Sequence, residues 1–136
     1  MAYLIDSDIL IYSLKGNAAV QNRFQRLADA PKAISVISFG ELLYGAKKSQ
    51  QPEKNAAIVL KMSDVFPIMD LTRIVMEIFA ELKAALQTKG TPLDDMDLLI
   101  GATALSLNYI LVTNNERHFR KIPGLLVENW MRPLDS

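Results

Sequence analysis

The chain contains no cysteine and one histidine, His118. Without thiols it has no disulfides and no thiolate metal site, which fits a reducing cytoplasm. One imidazole cannot build a His-rich zinc centre. No apolar run approaches the roughly 20 residues that span a bilayer. No basic, apolar, small-residue signal segment opens the chain, so a cytoplasmic protein with no membrane partner is expected. Neither sign of charge is in excess: 15 Lys and Arg face 15 Asp and Glu, a formal net charge of zero. A nucleic-acid partner would therefore need a local basic patch, because the whole molecule supplies no attractive field. The phosphate loop, the dinucleotide-binding glycine pattern and the serine-hydrolase elbow are all missing.

What is present is a 136-residue chain, half of it hydrophobic. That length suits one domain over residues 1–136 with a real core, and the apolar share excludes disorder and leaves room for an oligomer surface. Short apolar runs at Tyr3–Ile5, Ala33–Ile37, Val65–Ile68, Tyr109–Thr113 and Leu125–Val127 read as strands. Between them lie helical patterns: Ile9–Leu14, about Ala18 to Ala30, Leu42 onward, Pro52 to about Met62, a long helix ending at Lys89 before Gly90, and Asp95 to about Leu107. Strands alternating with helices predict an α/β fold, a central parallel sheet of four to five strands with helices on both faces.

Acids fall at telling places on this layout. Asp6 follows the first strand, and an Asp at the carboxyl end of a buried parallel strand sits where open α/β sheets place their ligands. Glu41 lies in the first turn after the second strand, Asp97 in the first turn of the helix entered at Asp94, and Asn115 just past the fourth strand. Parallel topology gathers strand ends and helix starts on one edge, so these residues converge. Two unit charges about 4 Å apart cost roughly 4 kcal/mol at an effective dielectric near 20, and a divalent cation removes that conflict. An all-oxygen ligand set selects Mg²⁺ or Mn²⁺ over zinc, and such an ion suits phosphodiester hydrolysis.

Each residue also has a plainer role open to it. Ser38-x-x-Glu41 has the spacing of a capping box, Asp97 and Asp8 suit the positive end of a helix, Asp94 suits a cap, and Asn115 suits a turn. Lys47, Lys48, Arg117 and Arg120 are candidate guides for RNA phosphates, or simply solvated charge. His118 reads as solvated, and Trp130 reads as core packing.

Four segments taken together resemble the motifs of PIN-domain ribonucleases: Tyr3-Leu4-Ile5-Asp6-Ser7-Asp8; Glu41-Leu42-Leu43-Tyr44-Gly45; Gly90-Thr91-Pro92 with Asp97-Leu98-Leu99-Ile100-Gly101-Ala102; and Leu111-Val112-Thr113-Asn114-Asn115 followed by Phe119. The ending Ile122-Pro123-Gly124-Leu125, then Glu128-Asn129-Trp130, is similar to the VapC toxin branch. The resemblance implies a Mg²⁺- or Mn²⁺-dependent endoribonuclease that cuts tRNA or rRNA, forms a homodimer and is inhibited by a VapB-type antitoxin. It implies Asp6 and Asp97 as metal ligands, with Glu41 completing the acidic set directly or through water. Ser7, Asp8 and Thr113 would support the site, and Asn115 stands where many PIN domains carry a fourth acid. Asp8 departs from the Asn usual at the third position of the first motif. An ionised Asp only accepts hydrogen bonds, where Asn also donates.

Two other readings stand beside this one. Asp6-Ser7-Asp8 also resembles the haloacid-dehalogenase phosphatases, with Asp6 as nucleophile and Asp8 as acid, although Leu10 replaces the usual Thr. A PIN-like binding module with a degenerate site is the third.

Overall fold

The computed structural model describes residues 1–133. The elements run β1 (Tyr3–Ile5), α1 (Ser7–Leu14), α2 (Ala18–Arg26), β2 (Lys32–Ser35), α3 (Val36–Lys47), α4 (Pro52–Val65), β3 (Ile68–Met69), α5 (Arg73–Lys89), α6 (Asp95–Leu107), β4 (Ile110–Val112), α7 (Glu116–Phe119) and β5 (Val127–Glu128). The strands form one five-stranded sheet in the order β3-β2-β1-β4-β5, with every pairing parallel. From β1 the chain winds outward through β2 to β3, then returns to β4 on the other side of β1. The strand order therefore reverses between β1 and β4, and the carboxyl ends there form the crevice where such sheets bind ligands.

Strand alternation divides the core. Tyr3, Ile5, Ile110 and Val112 face one side, packed with Ile9, Leu10, Val20, Leu42, Val59 and Met62 from α1 to α4. Leu4, Ala33 and Leu111 face the other, packed with Val75, Leu82 and Leu86 of α5, with Leu98 and Ile100 of α6, and with Phe119. Trp130 is fully buried and packs edge-on against Tyr3 and Phe24, with ring centroids 5.3 and 5.0 Å away. Gly90 ends α5 at φ +76°, where Thr91 N–H donates to the Leu86 carbonyl at 2.9 Å. Among the described residues no helix is long and apolar enough to cross a membrane.

Several boundaries differ from those read in the sequence. The second strand stops at Ser35, and β-branched Val36 and Ile37 open α3 instead. The cause is a cap: Ser35 Oγ accepts the Ser38 N–H at 3.0 Å. Ser38 therefore lies inside the helix, Glu41 lies in its second turn rather than its first, and the Ser38–Glu41 capping box does not form. α2 stops at Arg26, and the Lys32 ammonium takes the Leu27 and Ala30 carbonyls beyond it. α4 continues to Val65 until extended Phe66 meets Pro67, which shifts the third strand to Ile68–Met69. The fifth strand lies at Val127–Glu128, registered on Leu111 and Val112, instead of Leu125–Val127.

Candidate active site

Asp6 is the first residue past β1, and its N–H still donates to the Val112 carbonyl of β4 at 2.9 Å. Its side chain is buried, 7% exposed, and all its partners are donors. Oδ1 accepts the Ser7 N–H at 2.8 Å, capping α1, and the Ser38 hydroxyl at 3.3 Å. Oδ2 accepts the Thr113 hydroxyl at 2.8 Å. The Ser35 hydroxyl donates in turn to Ser38 Oγ at 3.1 Å, so the cap of α3 also orients the Ser38 donor. Burial pushes the Asp6 carboxyl above its ordinary value, and the bonds from Thr113, Ser7 and Ser38 oppose that shift.

Three further carboxylates face it. Burial raises the Glu41 carboxyl, and the charges of Asp6 and Asp97 raise it further. Ser7 Oγ lies 3.5 Å from Glu41 Oε1, a contact at the limit of a hydrogen bond. Asp97 is raised by burial and then by Asp6 and Asp94, against the lowering influence of His118. Asp8 is pushed up to about 7, by burial first and by the Asp6 charge second. One Asp8 oxygen, Oδ2, accepts the Asn114 N–H at 3.1 Å, while Oδ1 is buried without a hydrogen-bond partner among the described residues.

This donor set fits a hard divalent cation. The Asp6 charge raises Asp8, Glu41 and Asp97 alike, and Asp8 Oδ1 is a buried oxygen without a hydrogen-bond partner among the described residues. Among the described residues no group of three Asp, Glu or His side chains closes tightly enough to cage an ion alone. Asp6 and Asp97 are the residues that would hold an ion here, and Mg²⁺ is a cation that binds through one or two carboxylates while keeping several waters.

The fold brings other expected residues to the same edge. The Asn115 N–H donates to Thr113 Oγ1 at 3.0 Å, and its Nδ2 lies 3.0 Å from His118 Nδ1. His118 Nδ1 lies 3.7 Å from Asp97 Oδ2, so the histidine read as solvated closes a chain from Thr113 through Asn115 to Asp97. Ser38 was likewise missed, because its role depends on α3 starting at Val36. Asp94 caps α6 through the Met96 N–H at 3.2 Å, and Asp95 turns away to Lys83 at 3.0 Å.

The basic candidates divide: Arg117 and Arg120 lie on and just past α7, which follows Asn115, and the two lysines lie elsewhere. Lys47 and Lys48 end α3, about 18 Å along the helix from Ser35, and Lys48 lies over the Tyr44 ring. Arg117 is exposed, and Arg120 pairs with Glu116 at 2.7 Å.

The PIN-domain model matches residues 3–125. The chain belongs to the PIN-domain family. The relatives of this PIN domain include the tRNA(fMet)-specific endonuclease VapC of Shigella flexneri, 33% identical over 131 residues, covering 96% of this chain and 98% of that one. Ribonuclease VapC2 of Rickettsia felis is 35% identical over 132 residues, covering 96% and 98%. Among solved structures, VapBC2 from Rickettsia felis bound to a promoter DNA fragment superposes with a TM-score of 0.89 at 34% identity, covering 96% of this chain and 99% of that one. DNA-bound VapBC from Salmonella typhimurium gives 0.87 at 32%, covering 96% and 98%. The chain thus stands in the VapC branch of the PIN family, as its motifs led one to expect, and the phosphatase alternative falls away.

Proposed function

We propose that this PIN-domain protein is the toxin of a type II toxin–antitoxin pair, a cytoplasmic endoribonuclease that hydrolyses phosphodiester bonds of tRNA or rRNA with Mg²⁺, or with Mn²⁺ in its place. The observation that carries the proposal is Asp6, buried at the β1–β4 switch point with both oxygens held by donors while Glu41 and Asp97 face it. The relatives named as endonuclease and ribonuclease support the RNA reading. Asp6 and Asp97 would hold the ion, with Glu41 reaching it directly or through water. An ion so held polarises the phosphodiester and lowers the pKa of a bound water. The donors of Thr113, Ser7 and Ser38 keep the Asp6 carboxylate in one orientation, and the His118 ring stands beside Asp97, with Nδ1 3.7 Å from its Oδ2. Water attacks the phosphorus in line and the bond to the 3′ oxygen breaks, leaving 5′-phosphate and 3′-hydroxyl ends.

The relatives solved as VapBC complexes support a VapB-type antitoxin as partner. An antitoxin Arg or Lys inserted among the carboxylates would silence them. A cavity of about 430 Å³ between α1, α3 and α4, with exposed Ile11, Leu14 and Ile58 at its mouth, suits the apolar face of an amphipathic helix. Exposed Tyr44, Ile74, Met76 and Met96 supply apolar surface for a homodimer.

A structured RNA pool incubated with Mg²⁺, with EDTA and with the Asp6→Asn variant tests the function. Cleavage is expected with Mg²⁺ alone. Cleavage that survives EDTA or the substitution sinks the metal mechanism, and RNA binding without cutting at any metal concentration favours a binding module.

A further inference from the structure

A second polar cavity, of about 560 Å³, opens beside the ends of β4 and β5. Arg23, Arg120, Arg132, Glu116, Glu128 and Asn129 line it. Its carboxylates are already engaged. Glu116 accepts Arg120 and Arg132, each at 2.7 Å, and Asn129 Nδ2 at 3.0 Å. Glu128 Oε1 accepts Trp130 Nε1 at 3.0 Å and faces Arg23 at 3.7 Å. A guanidinium carries five N–H donors, so these contacts leave donors over on all three arginines. Arg23 Nε is buried and has no hydrogen-bond partner among the described residues. Among the described residues, three guanidiniums against two carboxylates give the cavity lining a surplus positive charge, in a chain whose formal charge is zero.

The cavity adjoins the acids. Asn129 Nδ2 also donates to Asn114 Oδ1 at 3.1 Å, and the Asn114 N–H donates to Asp8 Oδ2 at 3.1 Å. A hydrogen-bonded path of Glu116, Asn129 and Asn114 therefore links the arginines to Asp8 along the sheet edge. The acids repel a polyanion, so attraction must come from a local cationic surface within reach of them. Lys47 and Lys48 are too far along α3 for this, whereas Arg120 and Arg132 stand at the edge itself, with Glu116 holding their forks in place.

We infer that the Arg23–Arg120–Arg132 cavity is a phosphate subsite, which takes a backbone phosphate of the RNA strand flanking the bond presented to the acids. This rests on the RNA-cleaving function proposed above. Guanidinium forks match phosphate oxygens two at a time, and their geometry is set before the strand arrives.

The test measures binding of a fluorescein-labelled single-stranded RNA by polarisation, in EDTA, across a salt series. Wild type, Arg132→Gln, Arg132→Lys and Lys61→Gln on the exposed side of α4 are compared, with melting curves to confirm folding. Arg132→Gln should weaken binding several-fold and flatten the slope of log affinity against log salt by about 0.7, the loss of one single-strand phosphate contact. Arg132→Lys keeps the charge and should keep the slope, and Lys61→Gln should leave it alone. A wild-type slope in Arg132→Gln, an equal loss in Lys61→Gln, or no RNA binding by the wild type overturns the subsite. Cleavage with Mg²⁺ is scored in parallel. Arg132-dependent binding without cleavage refutes the ribonuclease reading and leaves the subsite standing, while cleavage with an unchanged slope refutes the subsite alone.

Discussion

The Thr113 hydroxyl has one hydrogen, and the Asn115 N–H approaching its oxygen at 3.0 Å leaves that hydrogen to Asp6 Oδ2 at 2.8 Å. Thr113→Val keeps the shape and removes the donor from a buried carboxylate. It should cost about 1–3 kcal/mol of stability and weaken divalent-ion binding by about 10–100-fold. Denaturant unfolding in EDTA and a Mn²⁺ titration read the two effects, and parental values in both would show the bond to be idle. Asp8 tests the opposite condition, a carboxylate that the fold disfavours. Its folded pKa of about 7 lies above the unfolded value near 3.9. The folded chain therefore holds this proton more tightly, and the stability that gives is full below about pH 4 and lost as the pH rises through 7. Asp8→Asn removes the titration, and its new N–H₂ can stand where Oδ1 is now orphaned. In EDTA the variant should exceed the parent at about pH 8 by on the order of 2–4 kcal/mol, the gap closing toward pH 4. Urea unfolding across that range decides it: a gap independent of pH, or one favouring Asp8 at pH 8, contradicts the account.

At the scale of the element, the cap of α3 joins fold to site. Ser35→Ala removes the acceptor for the Ser38 N–H and should cost about 1 kcal/mol. It also frees the Ser38 hydroxyl that Ser35 directs toward Asp6. Asn17→Ala removes the comparable cap of α2, which accepts the Val20 N–H at 3.0 Å far from the acids. The two variants should lose similar stability by thermal melting, but only Ser35→Ala should also lose RNA cleavage. Equal activity in both would confine Ser35 to capping. The same cap explains a misread boundary. Val36 and Ile37 look like strand residues by type, and only the Ser35–Ser38 spacing betrays the helix. β1 and β4 were legible because three apolar residues precede an acid or a hydroxyl. β3 and β5 were legible as strands but not in their bounds, because two residues each carry too little pattern and the ladders set where they start and stop. Asp6, Asp97 and Asn115 were legible as strand ends and helix starts, since parallel topology brings those together, while Glu41 faces the same crevice from the second turn of α3. Ser38 and His118 were not, because their partners lie on other elements and only the assembled sheet edge supplies them.

Over the whole molecule 15 basic and 15 acidic residues cancel, but they are not mixed. Asp6, Asp8, Glu41 and Asp97 share one crevice with their carboxyls pushed up, and the arginines collect next door around Glu116. The repulsion among the four acids exists only in the folded chain, so without a counter-ion the crevice works against folding. An ion that binds the folded chain alone stabilises it by mass action, about 2.7 kcal/mol at a hundred times its dissociation constant. Mg²⁺ should therefore raise the melting midpoint of the parent by several degrees, and NaCl at matched ionic strength should do less. Asp97→Asn removes one repelling charge and one proposed ligand together. In EDTA it should melt no lower than the parent, and it should lose the increment specific to Mg²⁺. An equal Mg²⁺ increment in both proteins would place the ion away from Asp97. A lower midpoint in EDTA would mean that His118 holds Asp97 more strongly than Asp6 repels it.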